Sequence, residues 1–203
     1  MTKKKTMKPE TEVREMSNLT LEVRDGEEDS MTVAGYAVKW EMKSHPMGWD
    51  SFREQFKRGA FTESLGKDNQ FALWSHDTRT ILGSKENGTL RLYEDDIGLR
   101  FELDLPDTPN GQNAFGAIKR GDVKGVSFGF RAKKQEWDER DPENIIRTIT
   151  QADLFEISPV AFPAYPDSGV AARSSDPYQE YLDEKRQAEE KELRQRLILQ
   201  TYL

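Results

Sequence analysis

The stretch from residue 81 to residue 105 limits the fold more than any other part of the chain. It contains two turn signals, the pair Asn87-Gly88 and an acidic turn at residues 95–98, between apolar runs. Asn-Gly is a strong hairpin signal, and alternation of apolar and charged residues is typical of a strand with one wet face. The sequence therefore predicts three consecutive antiparallel strands, hence a barrel or sandwich and not a doubly wound sheet. The alternating apolar residues are Leu99, Phe101, Leu103 and Leu105.

The rest of the chain predicts further strands and few helices. Residues 51–58 fit either a helix or a strand. Residues 110–120 predict a short helix, with Gly121 as its C-cap. Residues 133–144 are charged and predict an exposed loop, whereas residues 157–172 contain three prolines and predict an extended segment. Additional strands are predicted over residues 19–23, 31–40, 123–131 and 148–156.

The composition predicts a core flanked by polar segments. Hydrophobic residues make up 35% of the 203 residues and charged residues 33%, which is a low apolar share for a compact domain. Residues 1–18 predict a disordered N-terminal tail, and residues 19–175 a single domain. Residues 176–203 are strongly charged with leucines on helical spacing, which predicts an amphipathic C-terminal helix. This helix is either a solvated surface helix or a detachable, partner-binding tail.

Residue usage excludes several kinds of function. The chain has no cysteine, so disulfides, thiolate catalysis and cysteine-ligated metals are excluded. It has two histidines and no His-Glu-x-x-His pattern, so we expect neither a catalytic metal nor another cofactor. A net charge of −7 disfavours binding to nucleic acid. Since no apolar run approaches the length of a membrane span, we expect no membrane association.

A pentapeptide at residues 125–129 supplies a candidate nucleophile. It reads Gly-Val-Ser-Phe-Gly and matches Gly-x-Ser-x-Gly, which in α/β-hydrolases holds a serine on a strained elbow. Those enzymes place their histidine after the serine, whereas both histidines here precede Ser127. An esterase of that type is therefore disfavoured. Ser127 is either a nucleophile in another fold or a small residue packed on a strand between glycines.

His76 is the preferred base for such a nucleophile. It follows an apolar run, so we expect it at a strand end facing a cleft, where neutral imidazole accepts a hydroxyl proton; the alternative is a purely structural hydrogen bond. His45, in a polar loop, is the rival base. A third group must orient the imidazole. The candidates are Glu156, whose apolar surroundings demand a partner, Asp153 and Asp77.

An ordered set of segments between residues 31 and 173 resembles the prohead maturation proteases of tailed bacteriophages. Each segment alone is unspecific, but their order along the chain is highly specific. The segments are GYAV at 35–38, GAF at 59–61, SL at 64–65, WSHD at 74–77, ILG at 81–83, GTLRL at 88–92, DLPDT at 104–108, IKRGD at 118–122, VSFGF at 126–130 and LFEISPVAFPAYP at 154–166.

The resemblance implies a fold and a set of site residues. The fold would be of the mainly β, α+β class, an antiparallel β-barrel surrounded by short helices and similar to herpesvirus assemblin. The family's catalytic histidine falls on His76 and its serine on Ser127. The third member falls on Glu156 in the Glu-x-Ser-Pro motif, although assemblin-type sites use a second histidine there. No histidine follows Ser127 in this chain, so an acid must serve, and Asp153 stays open as the alternative.

The resemblance also implies a function. It is that of a serine endopeptidase that cleaves scaffold and the scaffold segment of the major capsid protein inside the prohead, and often itself. Those proteins would be its partners, together with a second copy, since assemblin-type proteases often dimerise. The expected location is the host cytoplasm, with packaging into the prohead. The alternative is a catalytically silent scaffold or capsid-assembly protein with a protease-like core.

Overall fold

The computed structural model describes residues 11–16, 22–24, 31–47, 52–161 and 177–200, and these form ten strands and three helices. The elements are β1 Glu12–Met16, β2 Glu22–Arg24, β3 Thr32–Lys39, β4 Arg53–Phe56, α1 Thr62–Lys67, β5 Phe71–Trp74, β6 Asp77–Ser84, β7 Leu90–Glu94, β8 Gly98–Asp104, α2 Pro109–Arg120, β9 Gly125–Asp138, β10 Ile146–Val160 and α3 Pro177–Gln200.

Two sheets organise these strands. The larger has six strands in the order β1-β9-β10-β5-β6, with β4 also paired to β10, and the smaller has the order β2-β3-β8-β7. β10 runs antiparallel to β9 but parallel to β4 and β5. The α+β class is therefore confirmed, whereas a purely antiparallel arrangement is wrong. The pairings of the described residues do not close the sheets into a barrel.

The predicted hairpin around Asn87-Gly88 is wrong in its pairing. The turn is present, with Gly88 at φ +73° and its N–H donating to the Lys85 carbonyl. However, β6 pairs with β5 and β7 pairs with β8, so this turn carries the chain from one sheet to the other. A turn signal reports that the chain reverses, not which strands then pair. The second predicted turn does join paired neighbours, β7 and β8.

The long hairpin of β9 and β10 forms the backbone of the larger sheet. β9 continues to Asp138 and β10 begins at Ile146, so the first half of the exposed loop predicted over residues 133–144 is strand. The prediction failed because charged residues such as Lys133 and Lys134 lie on wet faces of the hairpin, where strand pairing and solvation are compatible. The ambiguous segment at residues 51–58 resolves as strand β4, because it pairs with the start of β10.

Residues 12–16, within the predicted disordered tail, form strand β1. This strand pairs antiparallel with β9 from Glu12 opposite Phe130 to Met16 opposite Val126. The prediction of disorder is therefore wrong for these five residues; the remainder of residues 1–18, apart from Thr11, lies outside the described residues. Strand pairing overrides the polar composition because β9 offers an open edge there.

The main hydrophobic core combines side chains from both sheets and from α2. Beneath β9 it contains an aromatic cluster, in which Phe56 lies 5.5 Å from Phe61, 5.4 Å from Phe128 and 5.1 Å from Phe130 between ring centroids. Such contacts add to the roughly 1.5–3 kcal/mol gained by burying each large side chain. Because Phe128 and Phe130 point into this core, the alternation of a strand directs Ser127 to the opposite face.

The helices pack against strands of the two sheets. α2 agrees with its prediction: the Thr108 side chain caps its first turn, and Gly121 ends it in a left-handed conformation at φ +80°. α3 confirms the helix predicted near the C-terminus, and its first turns pack through Tyr178 against Phe52 and Ile145. Across the described residues, none of the helices is both long and apolar enough to span a membrane.

Candidate active site

His76 occupies a tight turn between β5 and β6. Trp74 pairs with Asp77, so Ser75 and His76 are the two residues at the turn. Both have positive φ, 49° and 62°, as a two-residue type I′ hairpin turn requires. Residues other than glycine and asparagine adopt this backbone conformation at an energetic cost. The turn is held by hydrogen bonds from the Ser75 N–H to the Pro159 carbonyl, at 3.3 Å, and from the His76 N–H to the Ser158 hydroxyl, at 3.1 Å.

Glu156 lies beside His76. Its Oε1 is 2.9 Å from His76 Nδ1, and its Oε2 accepts a 2.6 Å hydrogen bond from the Ser158 hydroxyl. Glu156 and Ser158 are two residues apart on β10 and therefore share one face of the strand. The carboxylate is thus oriented from both of its oxygens. A neutral histidine that donates Nδ1–H to a carboxylate carries its lone pair on Nε2.

The other candidate acids are engaged elsewhere. Asp153 forms an ion pair with Lys133 at 3.2 Å. Asp77 accepts hydrogen bonds from the backbone and side chain of Arg79, which lower the pKa of its carboxyl. Of the three carboxylates, Glu156 is the one that the structure brings to His76. The rival base His45 lies exposed in the segment between β3 and β4.

Ser127 lies on β9 directly opposite Ser158 of β10. Residues opposite one another in an antiparallel pair have Cβ atoms about 5 Å apart on the same face, so Ser127 faces the same side as Ser158 and Glu156. His76 reaches this group from the next turn through its hydrogen bond to Ser158. The structure therefore gathers the three predicted site residues, His76, Ser127 and Glu156, on one face of adjoining strands.

Gly129, the second glycine of the pentapeptide, makes room for the Glu156 carboxylate. It is opposite Glu156 in the strand register. A Cβ at this position would lie 2.8 Å from Glu156 Oε1, closer than non-bonded atoms approach. Gly129 thus leaves space for the Glu156 carboxylate and does not form a nucleophile elbow. The Gly-x-Ser-x-Gly pattern can therefore occur here on a continuous strand.

β1 covers Ser127. Ser127 is 0% exposed, and its hydroxyl donates to the backbone carbonyl of Arg14 at 3.0 Å. A serine hydroxyl has one proton to donate, so in this arrangement that proton is directed at β1 and not at an imidazole. Proton transfer to His76 requires the hydroxyl to turn away from Arg14.

A buried ion cluster anchors β1 on the core side of the sheet. Arg147, 3% exposed, binds Glu12 through two nitrogens at 2.7 and 3.0 Å and Glu54 at 2.6 Å. Arg14 binds Glu54 at 2.8 Å and Glu12 at 2.5 Å. Burial alone would raise the pKa of Glu12, but the hydrogen bonds and charges of Arg147 and Arg14 outweigh it and hold that pKa below its ordinary value. Two positive and two negative side chains thus form a neutral, bonded group.

Two contributors to the site were missed by sequence reasoning. Ser158 connects the His76 backbone to Glu156, and the signal for it was the Glu-x-Ser spacing, because residues two apart on a strand share a face. The Arg14 carbonyl had no local signal, since its contact with Ser127 joins residues 113 positions apart. Within the described ranges, no group of three His, Asp or Glu side chains is placed to hold a metal ion.

Comparisons with known proteins match this chain to phage proteins. The family model described as caudovirus prohead serine protease matches residues 18–181. The prohead protease of Escherichia phage T5 is 32% identical over 100 residues, which cover 49% of this chain and 44% of that protein. The chain thus aligns with less than half the length of that relative. No solved structure matches the chain.

Proposed function

Since this chain belongs to the caudovirus prohead serine protease family, we propose that it is a serine endopeptidase of capsid maturation. Ser127 is the nucleophile, His76 the general base, and Glu156 the acid that orients the imidazole. The observation that carries this proposal is the 2.9 Å contact between His76 Nδ1 and Glu156, formed one strand away from Ser127. A serine with a base, and a base with an orienting acid, is the arrangement that acyl transfer to a hydroxyl needs.

The proposed reaction begins when the Ser127 hydroxyl turns from the Arg14 carbonyl to His76. Ser127 Oγ then forms a bond to the scissile carbonyl carbon while its proton moves to His76 Nε2. Glu156 stabilises the resulting imidazolium through Nδ1–H. The imidazolium gives its proton to the leaving amine as the peptide bond breaks, and the acyl group stays on Ser127. A water molecule repeats both proton transfers and releases the acid product.

Ser158 acts as a positioning residue in this scheme. Its hydroxyl accepts from the His76 N–H and donates to the Glu156 carboxylate, so it fixes the base and the acid relative to each other. The strained turn at His76 adds to this, because a backbone in an unfavourable conformation persists only where its surroundings fix it. The imidazole is therefore held in place before a substrate binds.

The proposed substrates are scaffold protein and the scaffold segment of the major capsid protein, with the protease itself as a further substrate. This follows the family's link to the prohead and the name of the phage T5 relative. The enzyme would act inside the prohead after synthesis in the host cytoplasm, as a homodimer with a closed assemblin-like barrel. Co-expression of the chain with a capsid protein carrying its scaffold segment tests the substrate directly.

Substitution of Ser127 by Ala is the primary test of the nucleophile. We expect the intact wild-type chain to shorten itself and to cleave co-expressed capsid or scaffold protein, and the Ser127→Ala chain to do neither. Mass spectrometry of the products measures both cleavages. The Ser84→Ala chain is the matched control, since Ser84 ends β6 and its hydroxyl accepts from the Asn87 N–H of the following turn at 3.4 Å. Cleavage that persists in Ser127→Ala would refute the assignment.

Glu156→Gln tests the third member against Asp153→Asn. Glutamine keeps the shape but no longer favours the Nδ1–H tautomer or stabilises imidazolium. By analogy with Ser-His-Asp triads we expect kcat to fall by about 10³–10⁴-fold. Asp153→Asn should leave kcat near wild type, because Asp153 pairs with Lys133 and not with His76. The opposite ranking of the two variants would transfer the role to Asp153.

The burial of Ser127 favours one alternative, a catalytically silent assembly protein. Ser127 is 0% exposed and its hydroxyl is bonded to β1, a state that cleaves nothing. The two functions are separated by a serine-reactive fluorophosphonate probe. Labelling of wild type but not of Ser127→Ala supports the protease. Absence of labelling and of any cleavage, in the presence of capsid and scaffold protein, supports the silent alternative.

A further inference from the structure

The edge of β9 beside Ser127 is occupied by the chain's own strand β1. β9 has two neighbours in the sheet, and its other side is taken by β10, which pairs with it along most of its length. An extended peptide that binds by adding a strand can therefore reach Ser127 on β9 only where β1 now lies. β1 already has the form of such a peptide, with Arg14 and Glu15 opposite Phe128 and Ser127.

The anchoring contacts of β1 are specific for charge and spacing. Glu12 and Arg14 are two residues apart, so both point to the core side, where they meet Glu54 and Arg147. Glu54 and Arg147 also bind each other at 2.6 Å and come from β4 and β10, which pair with each other, whereas β1 pairs with β9. Arg147 is further fixed by Gln135, whose side-chain oxygen accepts from its Nε at 2.7 Å.

We propose that Glu54 and Arg147 form a charge-selective subsite for peptide binding beside Ser127. In this structure β1 occupies the subsite and blocks Ser127 until β1 is displaced. The ligand class is an extended peptide with an acidic residue two positions before a basic one. This inference rests on the proposed protease function, because it makes the subsite a determinant of substrate choice. Glu54 and Arg147 are specificity residues and touch no reacting atom.

The chemistry of the subsite explains why both charges of the ligand are needed. Glu54 and Arg147 are 2% and 3% exposed, so a ligand that brought only one charge would leave a net charge in a poorly hydrated place. A ligand with an acid and a base neutralises both and restores the bidentate contact of Arg147 with a carboxylate. A ligand with alanine at both positions keeps only the backbone pairing with β9.

The first experiment releases β1 in the full chain by the double substitution Glu12→Gln and Arg14→Met. These changes preserve side-chain size and net charge and leave the Glu54–Arg147 pair intact. Loss of charge from half of a buried ion cluster shifts an opening equilibrium by more than a factor of ten, so we expect at least ~10-fold faster fluorophosphonate labelling of Ser127. Amide hydrogen exchange across residues 126–130 should accelerate in parallel.

The second experiment restores the ligand in trans. A synthetic peptide with the sequence of residues 11–16 is added to the double variant, and a peptide with alanine in place of its first glutamate and its arginine serves as the control. We expect the first peptide to slow both labelling and exchange at residues 126–130, and the alanine peptide to do so at least ~10-fold more weakly, since two charged contacts are lost. Arg140→Met, which alters an exposed pair with Asp138, should leave labelling at the wild-type rate.

The outcomes separate this inference from the protease proposal. Near-UV circular dichroism establishes that the variant is folded, and Glu12→Gln alone replaces the double variant if it is not. Unchanged exchange and labelling in a folded variant, or equal protection by both peptides, would overturn the subsite. If exchange depends on charge as expected but no variant is ever labelled or cleaves a substrate, the protease proposal fails and the strand-binding subsite stands.

Discussion

The two segments at the ends of the described chain, β1 and α3, attach to the same β9–β10 hairpin by opposite means. β1 lies at the Ser127 end and is held by backbone pairing and a buried ion cluster. α3 docks near the far end of β9, where Tyr178 and Tyr181 pack against the indole of Trp137, with centroid distances of 5.1 and 5.2 Å. The same indole lies 5.9 Å from the guanidinium of Arg147, so the two attachments meet at this residue. A strand held by charged contacts can be replaced by another ligand with the same charges, whereas aromatic packing mainly adds stability. The contrast suits a strand that is displaced and a helix that stays docked.

The largest effect should follow from removing the central cation of the ion cluster. Arg147→Met leaves Glu12 and Glu54 facing each other with Arg14 as their remaining cation. Breaking a buried ion group in this way costs about 3–5 kcal/mol, and we expect that loss in the free energy of unfolding, measured by urea denaturation. Arg140→Met, at the surface, should change it little. Equal effects of the two variants would show that the cluster contributes nothing beyond a surface pair.

A smaller effect is expected from weakening the aromatic contact of α3. Tyr178 is 8% exposed, and its truncation to alanine should lower the free energy of unfolding by about 2–4 kcal/mol and reduce helical circular dichroism. Labelling of Ser127 should change little, because α3 packs on Trp137, ten residues along β9 from Ser127, and reaches the ion cluster only indirectly, through the contact of Trp137 with Arg147. Leu193→Ala, at a 59% exposed position, is the matched control. Faster labelling in Tyr178→Ala would remove the distinction between the two ends.

Acid should weaken the attachment of β1 more than that of α3. The pKa of Glu12 is lowered in the folded chain by Arg147 and Arg14, against the effect of burial. A lowered carboxyl pKa contributes stability that is fully present above the unfolded value, near 4.5, and is lost as the pH falls through the folded value. Protection against amide exchange in residues 12–16, corrected for the intrinsic pH dependence of exchange, should therefore fall below pH 4.5. Protection of residues 177–182 should fall less: hydrogen bonds from Lys185, Tyr178 and Tyr181 lower the pKa of Glu139 there, but α3 is also held by aromatic packing, which does not titrate. In Glu12→Gln this acid step should be absent; its persistence would assign it to another group.

The smallest effect is expected from the ion pair that α3 makes at the surface. Lys185 binds Glu139 at 2.6 Å, the same distance as between Arg147 and Glu54 in the buried cluster, but the side chain of Lys185 is exposed to solvent. Exposed pairs gain little because water and salt screen them, so Lys185→Met should leave the unfolding midpoint nearly unchanged at physiological salt. A loss comparable to that of Arg147→Met would contradict the importance given to burial.

The fold could be predicted from local patterns only where neighbours in sequence are neighbours in space. The β7–β8 hairpin and α2 were correct because their signals, an acidic turn and a C-capping glycine, lie within the elements themselves. The pairing across Asn87-Gly88 was wrong because the partner of β6 is β5, an earlier strand. The strand character of residues 133–138 was hidden because its polar side chains are solvated on the hairpin.

The candidate site, too, could be predicted only where its residues carry a local sequence signal. Glu156 was the preferred carboxylate, from its apolar setting and the family motif, with Asp153 left open as the alternative, and the structure places Glu156 beside His76. The cover over Ser127 could not be foreseen, because β1 has a polar, tail-like sequence whose meaning depends on Glu54 and Arg147 far along the chain. The catalytic roles of His76, Ser127 and Glu156 stay predictions until the variants are measured.

The left-handed turn at Ser75 and His76 implies a trade-off between thermal robustness and activity. Residues other than glycine cost about 1–3 kcal/mol each in this conformation, and the turn contains two of them. Ser75→Gly should recover part of that energy, and selection for heat resistance alone would favour such relaxed turns. A more flexible turn would allow the His76 imidazole to move out of hydrogen-bond distance of Glu156. Directed evolution of this protein for stability should therefore improve the hairpin far from residues 75–76 and leave this turn strained.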